Sequence, residues 1–256
     1  MLIRVVSVSG LMLLTGILGG RALDAADTET WDGTIVQYGT MHEAIGKQQH
    51  QGRVQLKKLV ERPHFFGVAA LERLKGEVTI LDGRVTITRV DAARQLDPSE
   101  DSALDKQATL LIGAYVPSWA EQKVAANVGP DECDGYIADV ASKVGIKTSA
   151  PFVFTVEGDF SKVRLHVING ACPMHARLKK IELPKDHQPF EAEYEKIQGT
   201  IIGVFAKDAV GNMTHPATST HMHLLFRDAK SGKLVTGHIE QIGFLSGAVL
   251  RFPKSK

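Results

Sequence analysis

The sequence predicts a mostly β, α+β fold in two sub-domains. An N-terminal mixed α/β sheet domain is expected over residues 27–149 and a C-terminal antiparallel, open β-barrel-like domain over residues 150–256. Three observations predict it. Short apolar runs rich in Val, Ile, Phe and Thr, punctuated by Gly, Asp and Pro, recur along the chain as strand signals. Helical periodicity is confined to the first half, over 119–126 and 131–144. From Pro151 onward the runs follow one another at hairpin spacing, the pattern of an antiparallel sheet curled toward a barrel.

Residues 1–26 carry Arg4, an apolar run over 5–18 and then small residues, which predicts a cleaved secretory signal ending at Ala22, Ala25 or Ala26. The run is too short and too broken to favour a spanning helix, and a retained anchor is the alternative. With no cysteine nearby, lipid attachment at a processed cysteine is excluded. The mature protein is expected to be secreted or periplasmic, with no membrane association after cleavage. The full chain has a formal net charge of +1 and no long basic run, so nothing points to nucleic acid. Cys133 and Cys172 would be allowed a disulfide in an exported protein, or are two thiols buried apart.

In the first half, strands are expected at 35–41, 65–72 and 110–115, with short helical turns at 42–47 and 54–60. The stretch 76–87 reads as a hairpin, because Asp82-Gly83 suits the two-residue type I′ turn. The helix over 131–144 begins at Asp131 as its cap. In the second half a strand and turn at 152–160 is followed by its hairpin partner at 162–168. Further strands are expected at 190–196, 199–205, 220–226, 233–242 and 248–252.

The chemistry concentrates at Thr220-His221-Met222-His223-Leu224 and Gly237-His238. Successive side chains of a strand point to opposite faces, so His221 and His223 project together. The charged stretch 227–233 reads as a hairpin loop that returns His238 alongside them. Three histidines with an open fourth position form a catalytic zinc pattern. A hydrogen-bonded or solvated surface pair explains a His-x-His strand equally well. His42, His50, His64 and His215 lack a partner at chelating spacing, and His175 and His187 fall in polar, proline-punctuated loops.

Several stretches, in order, resemble the α-acetolactate decarboxylase family. They are Gln37-Tyr38-Gly39-Thr40-Met41, Leu56-Lys57-Lys58-Leu59, Phe66-Gly67-Val68 and the run from Gly76 through Glu77 to Leu81-Asp82-Gly83. The series continues with Gly158-Asp159-Phe160-Ser161-Lys162-Val163-Arg164, Gly199-Thr200-Ile201-Ile202-Gly203, His221-Met222-His223 and Gly237-His238. The resemblance implies two-domain α/β proteins that hold one Zn²⁺, or another divalent transition metal, on His221, His223 and His238. It also implies that Glu77, by spacing alone an exposed hairpin carboxylate, reaches the metal from the other domain. Glu72 and Glu240 are then solvated neighbours.

Three departures from the family pattern stand out. The 224–237 connection is longer than usual. The substrate-binding arginine position holds His166, with Arg164 on the same strand face, and the C-terminal tail glutamate has no counterpart. The implied activity is decarboxylation of 2-acetolactate to acetoin and CO₂ through a metal-bound enediolate. Glu77 would be the proton donor or relay, and Arg164 or His166 would pair with the substrate carboxylate. Two alternatives stand beside it. One is a metal-dependent isomerase or lyase using enediolate chemistry on another α-hydroxyketone or keto-sugar. The other is a secreted metal-binding protein without catalysis. The partner is a small α-hydroxy-keto acid or hydroxyketone, and a homodimer is compatible with the sequence.

Overall fold

The structure is a computed structural model describing residues 29–98 and 103–255; the expected secretory signal lies outside the described residues. Two antiparallel sheets make up most of it. The first contains β1 (Val36–Tyr38), β2 (Val54–Gln55), β3 (Phe65–Leu71), β4 (Glu77–Leu81), β5 (Arg84–Val90), β6 (Leu96–Pro98) and β7 (Gln107–Tyr115). Its order is β1-β7-β3-β4-β5-β6, with β2 also on β7. The β4–β5 turn has Asp82 and Gly83 at φ 51° and 75°, the left-handed pair that a type I′ turn requires.

The alternation along β3 decides how this sheet packs. Phe65, Ala69 and Leu71 face a small core with Leu56 and Leu59 of α1 (Leu56–Val60). Phe66 and Val68 face the main core instead, which is shared with the second sheet. On β4, Val78 and Ile80 join the small core, so Glu77 and Thr79 point the other way.

The second sheet contains β8 (Trp119–Lys123), β9 (Phe152–Val167), β10 (Phe190–Phe205), β11 (Thr220–Arg227), β12 (Leu234–Phe244) and β13 (Val249–Pro253). Its order is β10-β11-β12-β9-β13-β8, and β10 also pairs directly with β9, so these pairings link β9, β10, β11 and β12 in a closed circuit. The expected helix over 119–126 is instead the edge strand β8. The helix-forming residues Ala120, Glu121 and Gln122 are overruled by pairing with β13, where Glu121 meets Arg251 at 2.7 Å, and by the edge-to-face contact of Trp119 with Phe66.

The turn expected near 158–161 is also absent. β9 continues through Gly158, where φ is 154° and a Cβ would lie 2.8 Å from Ala248, and through a positive φ at Lys162. The strand bends rather than reverses. Its first part pairs with β13 and its later part with β12, while β10 follows its length as one strand where two were expected. The helix α2 (Cys133–Lys143) starts after a 3₁₀ turn in which the Glu132 carboxylate, not Asp131, accepts the Gly129 N–H. A helix not expected from sequence, α3 (Pro173–Lys179), follows β9. Cys133 and Cys172 are both free and buried, and burial pushes their thiols up to about 12 and about 11. Among the described residues no helix is long and apolar enough to cross a membrane.

Candidate metal centre

The β-ladder assembles the site through register alone. On β11, His221 and His223 share one face, while Met222 and Leu224 belong to the main core. His223 lies directly opposite His238 on β12, and His238 lies directly opposite His166 on β9, so three imidazoles form one row across three strands. The ligand atoms of His221, His223 and His238 all fall within 4.8 Å of one another, and all three residues are buried. The solvated-pair alternative for His221 and His223 therefore does not hold.

Hydrogen bonds set which ring nitrogens are free. His223 Nδ1 lies 3.1 Å from the Val78 carbonyl and His221 Nδ1 lies 3.1 Å from the Met213 carbonyl. A carbonyl can only accept, so each Nδ1 carries the proton and each Nε2 keeps its lone pair. His223 Nε2 is fully buried with no hydrogen-bond partner. An orphaned lone pair in a dry site is a cost unless something binds it. This is the tautomer that metal-ligating histidines adopt, with the far nitrogen tied to a carbonyl. Burial foremost, followed by crowding from other imidazoles, lowers these side chains: His223 to about 3, His221 and His238 well below the usual imidazole range. Neutral imidazoles whose ligand atoms converge in this way fit a divalent transition metal.

The first sheet closes this centre. Thr79 Oγ1 lies 3.2 Å from His223 Nδ1 and 2.6 Å from Thr236 Oγ1, and Thr88 Oγ1 accepts the Thr236 N–H at 2.8 Å. Glu77, from the same face of β4, places Oε2 3.5 Å from His223 Nε2 and Oε1 4.0 Å from His166 Nε2. It is 3% exposed, so the expectation from spacing of an exposed hairpin carboxylate is corrected. Burial pushes its carboxyl up to about 8, against one backbone hydrogen bond from Ile168 that works the other way.

Glu240 was expected in solvent, and here the structure differs. Its side chain is 3% exposed, with Oε1 held by His166 Nδ1 at 2.8 Å and by Arg177, and Oε2 by Arg164 Nε at 3.0 Å. Burial raises this carboxyl, but His166 and Arg177 outweigh it and hold it at about 2. Arg177 comes from the unexpected helix α3 and is itself braced by Glu191. Arg164, half exposed, spends only Nε on Glu240.

His215 is the other residue that sequence missed. It sits in the irregular stretch between β10 and β11, 8% exposed, with its ring 5.0 Å from that of His238. No periodic pattern on its segment signals this position. An inner cavity of about 30 Å³ is walled by Glu77, His166, His215, His221, His238 and apolar side chains such as Met41. An outer cavity of about 430 Å³ touches His215, His238, Glu240 and Arg164. The inner space has room for an ion or roughly one or two waters.

The chain matches the family model described as alpha-acetolactate decarboxylase over residues 35–251. No curated protein matches it by sequence. Among solved structures it is similar to alpha-acetolactate decarboxylase from Bacillus subtilis strain 168, with a TM-score of 0.63 at 17% identity over 86% of this chain and 85% of that one. The acetolactate decarboxylase of Bacillus subtilis subspecies spizizenii gives 0.62 at 17% identity, covering 86% of each chain. A Staphylococcus aureus protein of unknown function, described as similar to alpha-acetolactate decarboxylase, gives 0.57 at 16% over 86% of this chain and 85% of that one. These likenesses show a shared fold, and with the match along most of its length the chain belongs to the alpha-acetolactate decarboxylase family.

Proposed function

We propose that the protein is a metal-dependent decarboxylase that converts 2-acetolactate to acetoin and CO₂, with Zn²⁺ or a similar ion held by His221, His223 and His238. The observation that carries this reading is the orphaned His223 Nε2, aimed with its two partners at one point beside the buried Glu77. An ion bound there supplies a Lewis acid that stabilises the charge reaching the ketone oxygen as CO₂ leaves. Glu77, buried beside His223, donates the proton that replaces the lost carboxyl group on one face of the enediolate. Arg164 pairs with the substrate carboxylate from the rim of the outer cavity, through the Nη groups that Glu240 does not use. Met41, Ile45 and Leu110 exclude water from the inner cavity. In this reading the second sheet acts as an open barrel bearing the metal, and the first as a separate unit lending Glu77. In this reading residues 1–26 act as a cleaved secretory signal and the mature protein works in a periplasm or outside the cell.

One observation favours the second reading, enediolate chemistry on another α-hydroxyketone or keto-sugar. Glu240 already occupies both nearby arginines, which leaves less for a substrate carboxylate than an open clamp would. Incubation with racemic 2-acetolactate separates the two. Enzyme-like release of CO₂ and acetoin, lost on chelation and restored by zinc, supports decarboxylation; inert acetolactate with a zinc-loaded protein removes it. Elemental analysis is the companion test, with about one zinc per chain in wild type and none in His223→Ala.

A further inference from the structure

We propose that the metal centre serves α-hydroxyketones, or the corresponding α-hydroxy-keto acids, that carry an apolar chain of roughly four to six carbons. That chain lies in a side chamber between the turn His42–Gly46 and α3. The proposal rests on the reading that the three-histidine site binds an α-hydroxyketone, and it states which members of that class fit. The inner cavity, at about 30 Å³, holds little more than an ion, so most of a substrate has to lie beyond its walls. On one side is the polar outer cavity with Arg164. On another is a chamber of about 300 Å³, which reaches the size of ordinary small-ligand pockets. Ile45, Leu74 and Cys172 line both the inner cavity and this chamber, so they form a partition between the two.

The chamber suits hydrocarbon. Beyond the partition it is lined by Ala176, Ile181, Leu183 and Pro184, and Ile181 is 55% exposed, a large apolar side chain left open to water. An alkyl chain laid there is dehydrated together with Ile181, which tightens binding by about three- to fourfold per methylene. Cys172 is a free thiol and packs as a small apolar group. The partition also carries two backbone irregularities. Ile45 sits in a five-residue π-helical turn, a form that concentrates at functional sites. Arg73 and Leu74 are successive non-glycine residues at φ 59° and 54°, and Leu74 is buried. Left-handed backbone is strained in a residue with a Cβ and persists only where its surroundings hold it. Here they do, because the Arg73 N–H donates to the His50 carbonyl and the Leu74 carbonyl accepts the Gly170 N–H, both at 2.6 Å. Ile45 is only half-buried, so it is the partition residue that a chain displaces with least loss of packing. A cavity of about 150 Å³ also reaches Ile45, but it has half the volume and does not touch Leu74. Acetolactate, with methyl groups alone, is then the smallest member of the class and leaves the chamber empty.

The experiment is calorimetry on the zinc-loaded protein with acetoin and homologues in which the methyl group on the carbinol carbon is lengthened stepwise to n-pentyl. Affinity should climb with each methylene, to about 100-fold above acetoin for the pentyl compound. Ala171 also lines the chamber, and Ala171→Phe puts a ring into it. In that variant the pentyl compound should exceed acetoin by about tenfold or less. Affinity that stays flat or falls with chain length in wild type overturns the proposal, and that arm does not depend on the variant folding. A gain undiminished in folded Ala171→Phe overturns it as well, because the chain then lies elsewhere. The two readings fail separately. A climbing series with inert acetolactate counts against decarboxylation and leaves the chamber in place, whereas turnover of acetolactate with a flat series keeps decarboxylation and removes the chamber.

Discussion

The hairpin β11–β12 and the stretch that covers it, α3 together with the 206–219 connection, contribute to the same site by opposite means. The hairpin holds His221, His223 and His238 by unbroken register, one ladder rung placing His223 against His238. The cover holds Arg177 and His215 by side-chain contacts made from a short helix and from irregular chain. Regular strand pairing places ligands with little freedom, which suits an ion with fixed geometry. Segments outside the ladder can exchange residues without moving it, which suits substrate selection. The metal face and the rim face should therefore respond differently to mutation.

The sharpest way to break this contrast is at the ladder. His223→Ala should abolish zinc binding and with it all turnover, read by elemental analysis and acetolactate assay. If zinc stays, the cluster of His221, His223 and His238 is not the metal centre. Glu77→Gln comes next, with zinc retained and turnover lower by about 10²- to 10⁴-fold. Unchanged turnover would remove the proton-donor role.

The buried carboxyl also makes a pH prediction for the metal-free protein. Glu77 has its folded pKa raised from 4.5 to about 8, so across that window the folded state holds a proton that the unfolded chain releases. Its contribution is neutral below about 4.5 and destabilising as pH rises toward 8, by up to about 1.4 kcal/mol per pH unit. Glu77→Gln should thus gain on wild type as pH rises from 5 to 8 in urea unfolding of the metal-free form. A constant difference would show that Glu77 is ionised in the fold. The lowered histidines act in the reverse sense, since stability falls as pH drops below 6.5 and unfolded imidazoles take protons.

The smaller effects sharpen the comparison. Thr79→Val leaves Thr236 Oγ1 without its 2.6 Å partner and should cost about 1 kcal/mol, measured by chemical denaturation. Reduction with a thiol should leave the melting temperature unmoved, because Cys133 and Cys172 are both free.

What the sequence showed follows the same division. Short apolar runs bounded by turn residues revealed β3, β4, β7, β11 and β12, and the Asp82-Gly83 turn was legible because its chemistry is local. The three histidines were legible as a candidate set for the same reason, two on one strand and one on its return. Glu77 needed the family resemblance, because its burial depends on the docking of a second sheet. Glu240 carried a usable signal, lying two residues from His238, and was misplaced in solvent because its partners His166 and Arg177 lie 74 and 63 residues away. Trp119 to Lys123 misled through helix-forming composition at a sheet edge. The continuous β9 was hidden by Gly158, which signalled a turn where the chain only bends.

His223 has one more consequence. Its Nδ1 is tied to β4 through the Val78 carbonyl and its Nε2 lies 3.5 Å from Glu77 Oε2 at the candidate metal centre, so a ring carried by the second sheet is fastened to the first. An ion there works as a clasp across the sheet boundary, and its binding free energy adds to the cohesion of the whole fold. The lifetime of this protein against proteases would then track metal supply, making zinc starvation a control on its abundance as well as on its turnover.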